Sequence, residues 1–214
     1  MEKVNFSNCT LAYLEHTFQL ESPFNLSVLD AWLHTQVDLT EIERQQLLSF
    51  REHLELNVLH WNEQELSLNF IGPLFAMVRF THPKFNFFAQ RSLHATINDI
   101  ELLGKTDGLL ASGYRSPRLP YFAFHEFKKE SDSSGDPAGQ NLAAMLAGQA
   151  LNERRIPIYG CFVTGENWYF MVLDGNQYAI SKPYSSTSKL EVFDIFRILK
   201  GLKGIVLGLV SESP

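Results

Sequence analysis

Apolar positions between residues 42 and 58 recur at helical spacing: Ile42, Leu47, Leu48, Phe50, Leu54 and Val58. Thr40-Glu41-Ile42-Glu43 stands ahead of them as a capping box, in which the Thr40 hydroxyl accepts the Glu43 N–H and the Glu43 carboxylate reaches back to the Thr40 N–H. A helix over residues 40–59 follows. Asn62 and Glu65 repeat the cap, and the next helix carries Phe70, Ile71, Leu74, Phe75 and Val78. Pro73 lacks the N–H that the ladder needs and is expected to kink or loosen it. Residues 1–25 show no such period and read as irregular, with Pro23 as punctuation.

The period then shortens. Residues 85–88, 94–103, 105–111 and 120–128 read as successive strands, with Gly113 and Pro117 joining the last two. Ser131 to Gly135 is a polar loop, and Asp136-Pro137 supplies the N-cap and first residue of an Ala-rich helix to about Asn152. Residues 156–164, 168–173 and 178–181 form a meander, turning at Gly165-Glu166-Asn167 and Asp174-Gly175-Asn176. A last helix covers residues 188–203. Helices, strands, helix, strands and helix in that order predict an α/β domain with a mixed sheet.

Composition narrows the class. In 214 residues, 45% are hydrophobic and 17 are Phe, enough for a core without staples. Cys9 and Cys161 form neither a disulfide framework nor a metal-ligand spacing, which suits a reducing compartment. The opening MEKVNFSNCT lacks an apolar signal region, and no apolar run nears the ~20 residues of a membrane span. A cytoplasmic protein without membrane contact is expected. The formal charge is −6, with the excess acid in residues 1–100. An acidic chain is a poor non-specific nucleic-acid binder. Basic residues nevertheless gather in sequence around one segment: Lys105, Arg115, Arg118, Lys128, Lys129, Arg154 and Arg155.

That segment is Pro120-Tyr-Phe-Ala-Phe-His-Glu-Phe-Lys-Lys-Glu130. Alternation along a strand puts Phe122, Phe124, Glu126 and Lys128 on one face and Tyr121, Ala123, His125 and Phe127 on the other. Charges closing an apolar strand are costly unless they are paired or bind something. Upstream, Gly104-Lys-Thr-Asp-Gly-Leu-Leu-Ala111 places Asp107 near a strand start. If the strands pair, Asp107 and Glu126 converge. Two carboxylates offer hard oxygen ligands for Mg²⁺, with Mn²⁺ as a substitute. Such an ion polarises a phosphate and lowers the pKa of a bound water. Lys128 would stabilise charge in the transition state. An acid two residues before a lysine is expected roughly once by chance here, so the tripeptide alone carries no weight.

The wider context resembles the PD-(D/E)XK nuclease superfamily, in its restriction-endonuclease-like branch. Thr106-Asp107 stands where that family often has Pro-Asp, and Glu126-Phe127-Lys128 matches its acid-x-Lys. Gln140 falls at its helical Gln, and Glu65 falls at its first-helix acid. The resemblance implies an αβββαβ core in residues 62–214, preceded by an N-terminal helical extension in residues 1–61. It implies Mg²⁺-dependent phosphodiester hydrolysis of nucleic acid, DNA before RNA. Asp107 and Glu126 would hold the metal, Lys128 would be catalytic, and Gln140 and Glu65 would assist. A homodimer would suit duplex cleavage.

Each residue also has a plainer use. Asp107 before Gly108 can form a turn. Glu126 and Lys128 can be an edge-strand charge pair. Glu65 can serve only the Asn62 cap, Gln140 can lie on a helix surface, and His125 reads as a packed histidine. Trp168, Tyr169 and Phe170 suit a core better than base stacking. The alternative function is an inactive nuclease-fold protein acting as an interaction or assembly module.

Overall fold

A computed structural model describes residues 2–129, 135–152 and 156–211; the predicted loop at Ser131–Ser134 and the Arg154-Arg155 pair lie outside them. The strands are β1 (Glu2–Asn5), β2 (Phe85–Ile97), β3 (Ile100–Ser112), β4 (Arg118–Lys128), β5 (Ile158–Thr164), β6 (Asn167–Asp174), β7 (Gln177–Ile180) and β8 (Tyr184–Ser185). They form one mixed sheet in the order β1-β3-β4-β5-β6-β7, with β2 added to β3 and β8 to β6. β1 with β3 and β4 with β5 run parallel, and every other pair runs antiparallel.

The helices are α1 (Leu11–Phe18), α2 (Ser27–Leu33), α3 (Glu41–Asn57), α4 (Glu63–Leu66), α5 (Gly72–Val78), α6 (Pro137–Leu151) and α7 (Glu191–Ser211). Two apolar cores flank the sheet. One gathers side chains of α2, α3, α5 and α7, and the other those of α1 and α6. The element order from α5 to β5 is helix, three strands, helix, strand, in an α/β arrangement.

Both capping boxes form as the sequence predicts, at Thr40/Glu43 and Asn62/Glu65. Asp136 caps α6 through the Gly139 N–H at 3.0 Å, and its second oxygen accepts the Leu11 N–H of α1 at 2.9 Å. One carboxylate thus ties two helix starts together. The helix around Pro73 is loosened rather than broken, as the sequence predicts. A π-turn over Ser67–Ile71 joins α4 to α5, with the Gly72 N–H donating to the Ser67 carbonyl. The wider turn falls immediately before the residue that cannot donate, so the helix passes through it.

Several elements differ from expectation. Residues 94–103 are not one strand, because Asn98 and Asp99 both take the left-handed conformation (φ 49° and 64°) and close the β2–β3 hairpin. A bulge at Phe122 shifts the β3–β4 register between Leu110↔Ala123 and Ala111↔Tyr121. Phe122 therefore enters the core opposite to that of Phe124, against simple alternation. The final helix runs on to Ser211.

Residues 2–25 are not irregular but hold β1 and α1, and residues 2–61 are woven into the sheet and both cores. β1 extends the sheet beside residues 100–103 of β3, while Leu14 and Phe18 enter one core and Trp32 the other. Trp32 is 1% exposed, meets Tyr159 and Phe170 edge-on, and donates its ring N–H to the Ile198 carbonyl at 2.9 Å. Trp32→Ala is expected to cost about 3–5 kcal/mol in urea unfolding. A loss under 1 kcal/mol would show that the N-terminal segment is an appendage.

Among the described residues no helix is long and apolar enough to cross a membrane.

Candidate active site

The site lies where β3 and β4 part. One edge of β3 belongs to β2 along most of its length; the other is divided, with β1 beside residues 100–103 and β4 beside residues 108–112. Between them, side chains replace the backbone ladder. The Asp107 carboxylate accepts the Phe127 N–H of β4 at 2.8 Å. The Thr106 hydroxyl sits 2.8 Å from the Gly108 carbonyl and 3.1 Å from the His125 carbonyl. The second Asp107 oxygen accepts from the Gln90 amide at 2.6 Å. Gln90 holds φ 53° opposite Asp107, where the β2–β3 pairing skips one position without changing register, and its side chain turns to this end of β3. Asp107 is therefore oriented from both neighbouring strands.

Glu126 is 7% exposed and faces Lys128, whose Nζ stands 3.1 Å from the Glu126 Oε1 and 3.7 Å from the Glu63 Oε2. Burial, then the negative charge of Asp107, push the Glu126 carboxyl up to about 7 against the pull of Lys128. Burial opposes the Lys128 charge, but Glu126, Glu63 and Asp107 outweigh it and hold the ammonium above its ordinary pKa. Lys128 is a fixed cation at neutral pH and not a free base.

The structure thus brings Asp107, Glu126 and Lys128 together. Glu65 is not among them. It is exposed, and its carboxylate accepts the Asn62 N–H at 2.8 Å, so the cap consumes it. The first-helix acid at the site is Glu63, two residues earlier. Gln140 is buried one turn into α6. A Cβ on Gly135 would stand 2.7 Å from the Gln140 Nε2, so the amide lies against the backbone leading into the helix. Among the described residues no hydrogen bond or ion pair joins Gln140 to the three. Of the expected basic cluster, Arg115 and Arg118 are not brought to the site, and Arg154 and Arg155 lie outside the described residues. Arg115 and Arg118 sit at the opposite end of the β3–β4 hairpin, eight residues of strand from Glu126, or roughly 25 Å. Lys105 is exposed on β3. His125 is packed among Phe75, Phe87 and Phe127, as expected. Trp168 and Phe170 are fully buried.

Glu63 and Gln90 carry no mark in the sequence that separates them from other surface acids and amides. The one usable hint was that two acids share the first turn of α4, of which the cap can use only one.

Among the described residues no three His, Cys, Asp or Glu side chains group to hold a metal ion. Asp107 and Glu126 supply two hard oxygen donors. Mg²⁺ commonly takes one or two carboxylates and completes its shell with water and substrate phosphate, so this pair fits such an ion. Glu126 adds a second argument: a buried carboxyl raised by a neighbouring carboxylate is the electrostatic condition that a dication relieves.

The chain matches no protein-family model, and comparison with curated proteins gives no match.

Proposed function

We propose that this chain is a metal-dependent phosphodiesterase acting on nucleic acid, DNA before RNA, with a core of the PD-(D/E)XK nuclease kind. The observation that carries the reading is the meeting of Asp107, Glu126 and Lys128 where two strands part. Support for the fold comes from the helix, three strands, helix and strand that run from α5 to β5. Asp107 and Glu126 would hold Mg²⁺ or Mn²⁺. When bound, the ion supplies Lewis acidity at a phosphoryl oxygen.

The remaining work falls to the chain. Gln90 and the Phe127 N–H hold the Asp107 carboxylate in one orientation, which lowers the cost of arranging a ligand. Lys128, kept protonated by three carboxylates, presents positive charge where negative charge grows on the phosphate. Glu63 steadies the ammonium from the helix side.

One observation favours a second reading, an inactive protein of this fold serving assembly. Both Asp107 oxygens already accept hydrogen bonds, and Lys128 is paired on two sides, so the site is internally satisfied. Plasmid and single-stranded DNA incubated with Mg²⁺ or Mn²⁺ separate the two. Cleavage by the wild type, reduced at least about a hundredfold in Asp107→Ala, is the expected result. No cleavage and no heat of Mg²⁺ binding in calorimetry would leave the assembly reading in place.

A further inference from the structure

A cleft of about 970 Å³ opens directly beside Asp107, between the α4–α5 helix and strands β2 and β3. Its walls are mainly apolar, and Phe75, Phe87 and Phe127 form an edge-to-face aromatic group, with centroids 5.0 Å apart for Phe75–Phe87 and 6.1 Å for Phe75–Phe127. Polar side chains share the lining, Glu63, Arg79, Gln90 and Asp107 among them. Phe127 is the middle residue of Glu126-Phe127-Lys128, and Gln90 holds Asp107, so cleft and candidate site share walls.

Resting on the phosphodiesterase reading, we infer that this cleft receives an unpaired nucleobase from the strand held at Asp107 and Lys128, which makes single-stranded nucleic acid the substrate class. A base has apolar faces and a polar edge, and an aromatic floor with carboxylate and amide groups beside it matches that division. The volume admits a base together with its sugar. Stacking on aromatic side chains is a sequence-tolerant source of affinity for single strands. This chain needs such a source. Its net charge is −6; Arg115 and Arg118 lie at the far end of the hairpin, and Arg79 is the one arginine among the described residues that line the cleft. Phosphate contacts alone would bind it weakly. Bases in an intact duplex are stacked on one another and cannot enter.

Ala76 lines the cleft from the exposed side of α5, and Leu68, 66% exposed, stands at its mouth. Ala76→Trp fills the space without disturbing the core, and Leu68→Glu sets a negative charge where the backbone must pass. Fluorescence anisotropy without divalent metal would compare three labelled probes: a single-stranded oligonucleotide, its duplex, and an abasic single strand. The wild type is expected to bind the first at least about tenfold tighter than either other, and both variants to lose about tenfold on it while keeping their melting temperatures. Equal affinity for the three probes, no binding to any, or two folded variants that bind as the wild type does would each overturn the inference. The same preparations with Mg²⁺ report on the underlying reading. Cleavage with equal affinities sinks the pocket and keeps the phosphodiesterase; single-strand preference without cleavage keeps the pocket and sinks the phosphodiesterase.

Discussion

Glu126→Gln is expected to raise the melting temperature at pH 8 and, on the phosphodiesterase proposal, to abolish Mg²⁺ binding and cleavage together. The reason is electrostatic. In the folded chain burial and Asp107 push the Glu126 carboxyl from 4.5 to about 7. A raised pKa means that the group supports the fold below the unfolded value and loses that support as pH rises through the folded one. By pH 8 the carboxylate is ionised in a buried place, at a cost of up to about 3 kcal/mol, since one pKa unit is about 1.36 kcal/mol. Glutamine keeps the shape without the charge. A gain of roughly 5–10 °C follows for a domain of this size. At pH 4.5 variant and wild type should melt within a degree or so of each other. Mg²⁺ should mimic the substitution in the wild type, stabilising it more at pH 8 than at pH 5.5 because the ligand must be deprotonated. It should do nothing for Glu126→Gln. Scanning calorimetry at the two pH values, with and without Mg²⁺, reads all of this. A variant less stable than the wild type at pH 8 would mean that the Lys128 pair holds the fold and the buried charge is no burden.

The parts of this molecule governed by neighbours in sequence were legible, and the parts governed by neighbours in space were not. Thr40 and Glu43 lie three residues apart and meet by helix geometry alone, and Asp136-Pro137 fixes its helix start in the same way. The Asn98-Asp99 turn was also local, yet it hid inside an apolar run that continues on both sides. β1 was invisible because Glu2-Lys3-Val4-Asn5 has no apolar alternation; it is a strand only because β3 offers an edge. At the site, Asp107, Glu126 and Lys128 were readable because the strand period fixes which side chains share a face near the end of β4. Glu63, and not Glu65, faces Lys128 for a physical reason. The Asn62 cap claims Glu65, and the phase of the helix against the sheet then points Glu63 at Lys128. Gln90 reaches Asp107 only through a left-handed residue in mid-strand, which nothing in its neighbours announces.

His125, one residue before Glu126, carries the opposite dependence on acidity. Its ring is fully buried against Phe75, Phe87 and Phe127, both nitrogens lack hydrogen-bond partners among the described residues, and burial pulls its pKa from 6.5 down to about 3. The unfolded chain therefore takes up the proton first, and stability falls as pH drops from 6.5 toward 3. Glu126 works the other way between 4.5 and 7. Between pH 4.5 and 6.5 the two slopes are equal in size and opposite in sign, so they cancel in the wild type. Each single variant exposes the other residue. Glu126→Gln should lose about 3 kcal/mol between pH 6.5 and 4.5, and His125→Leu should gain about 3 kcal/mol on acidification from pH 7 to 4.5. Leucine also removes two unpartnered buried nitrogens, worth about 1–3 kcal/mol at neutral pH. The residues point to opposite faces of β4, and neither appears among the causes of the other's shift, so their effects should add. The double variant should be level across the window relative to either single variant. Urea midpoints at pH 4.5, 5.5, 6.5 and 7.5 for the four chains decide it. Parallel profiles for wild type and His125→Leu would show that water or a polar partner reaches the ring, and that β4 is less tightly closed at the candidate site than its packing indicates.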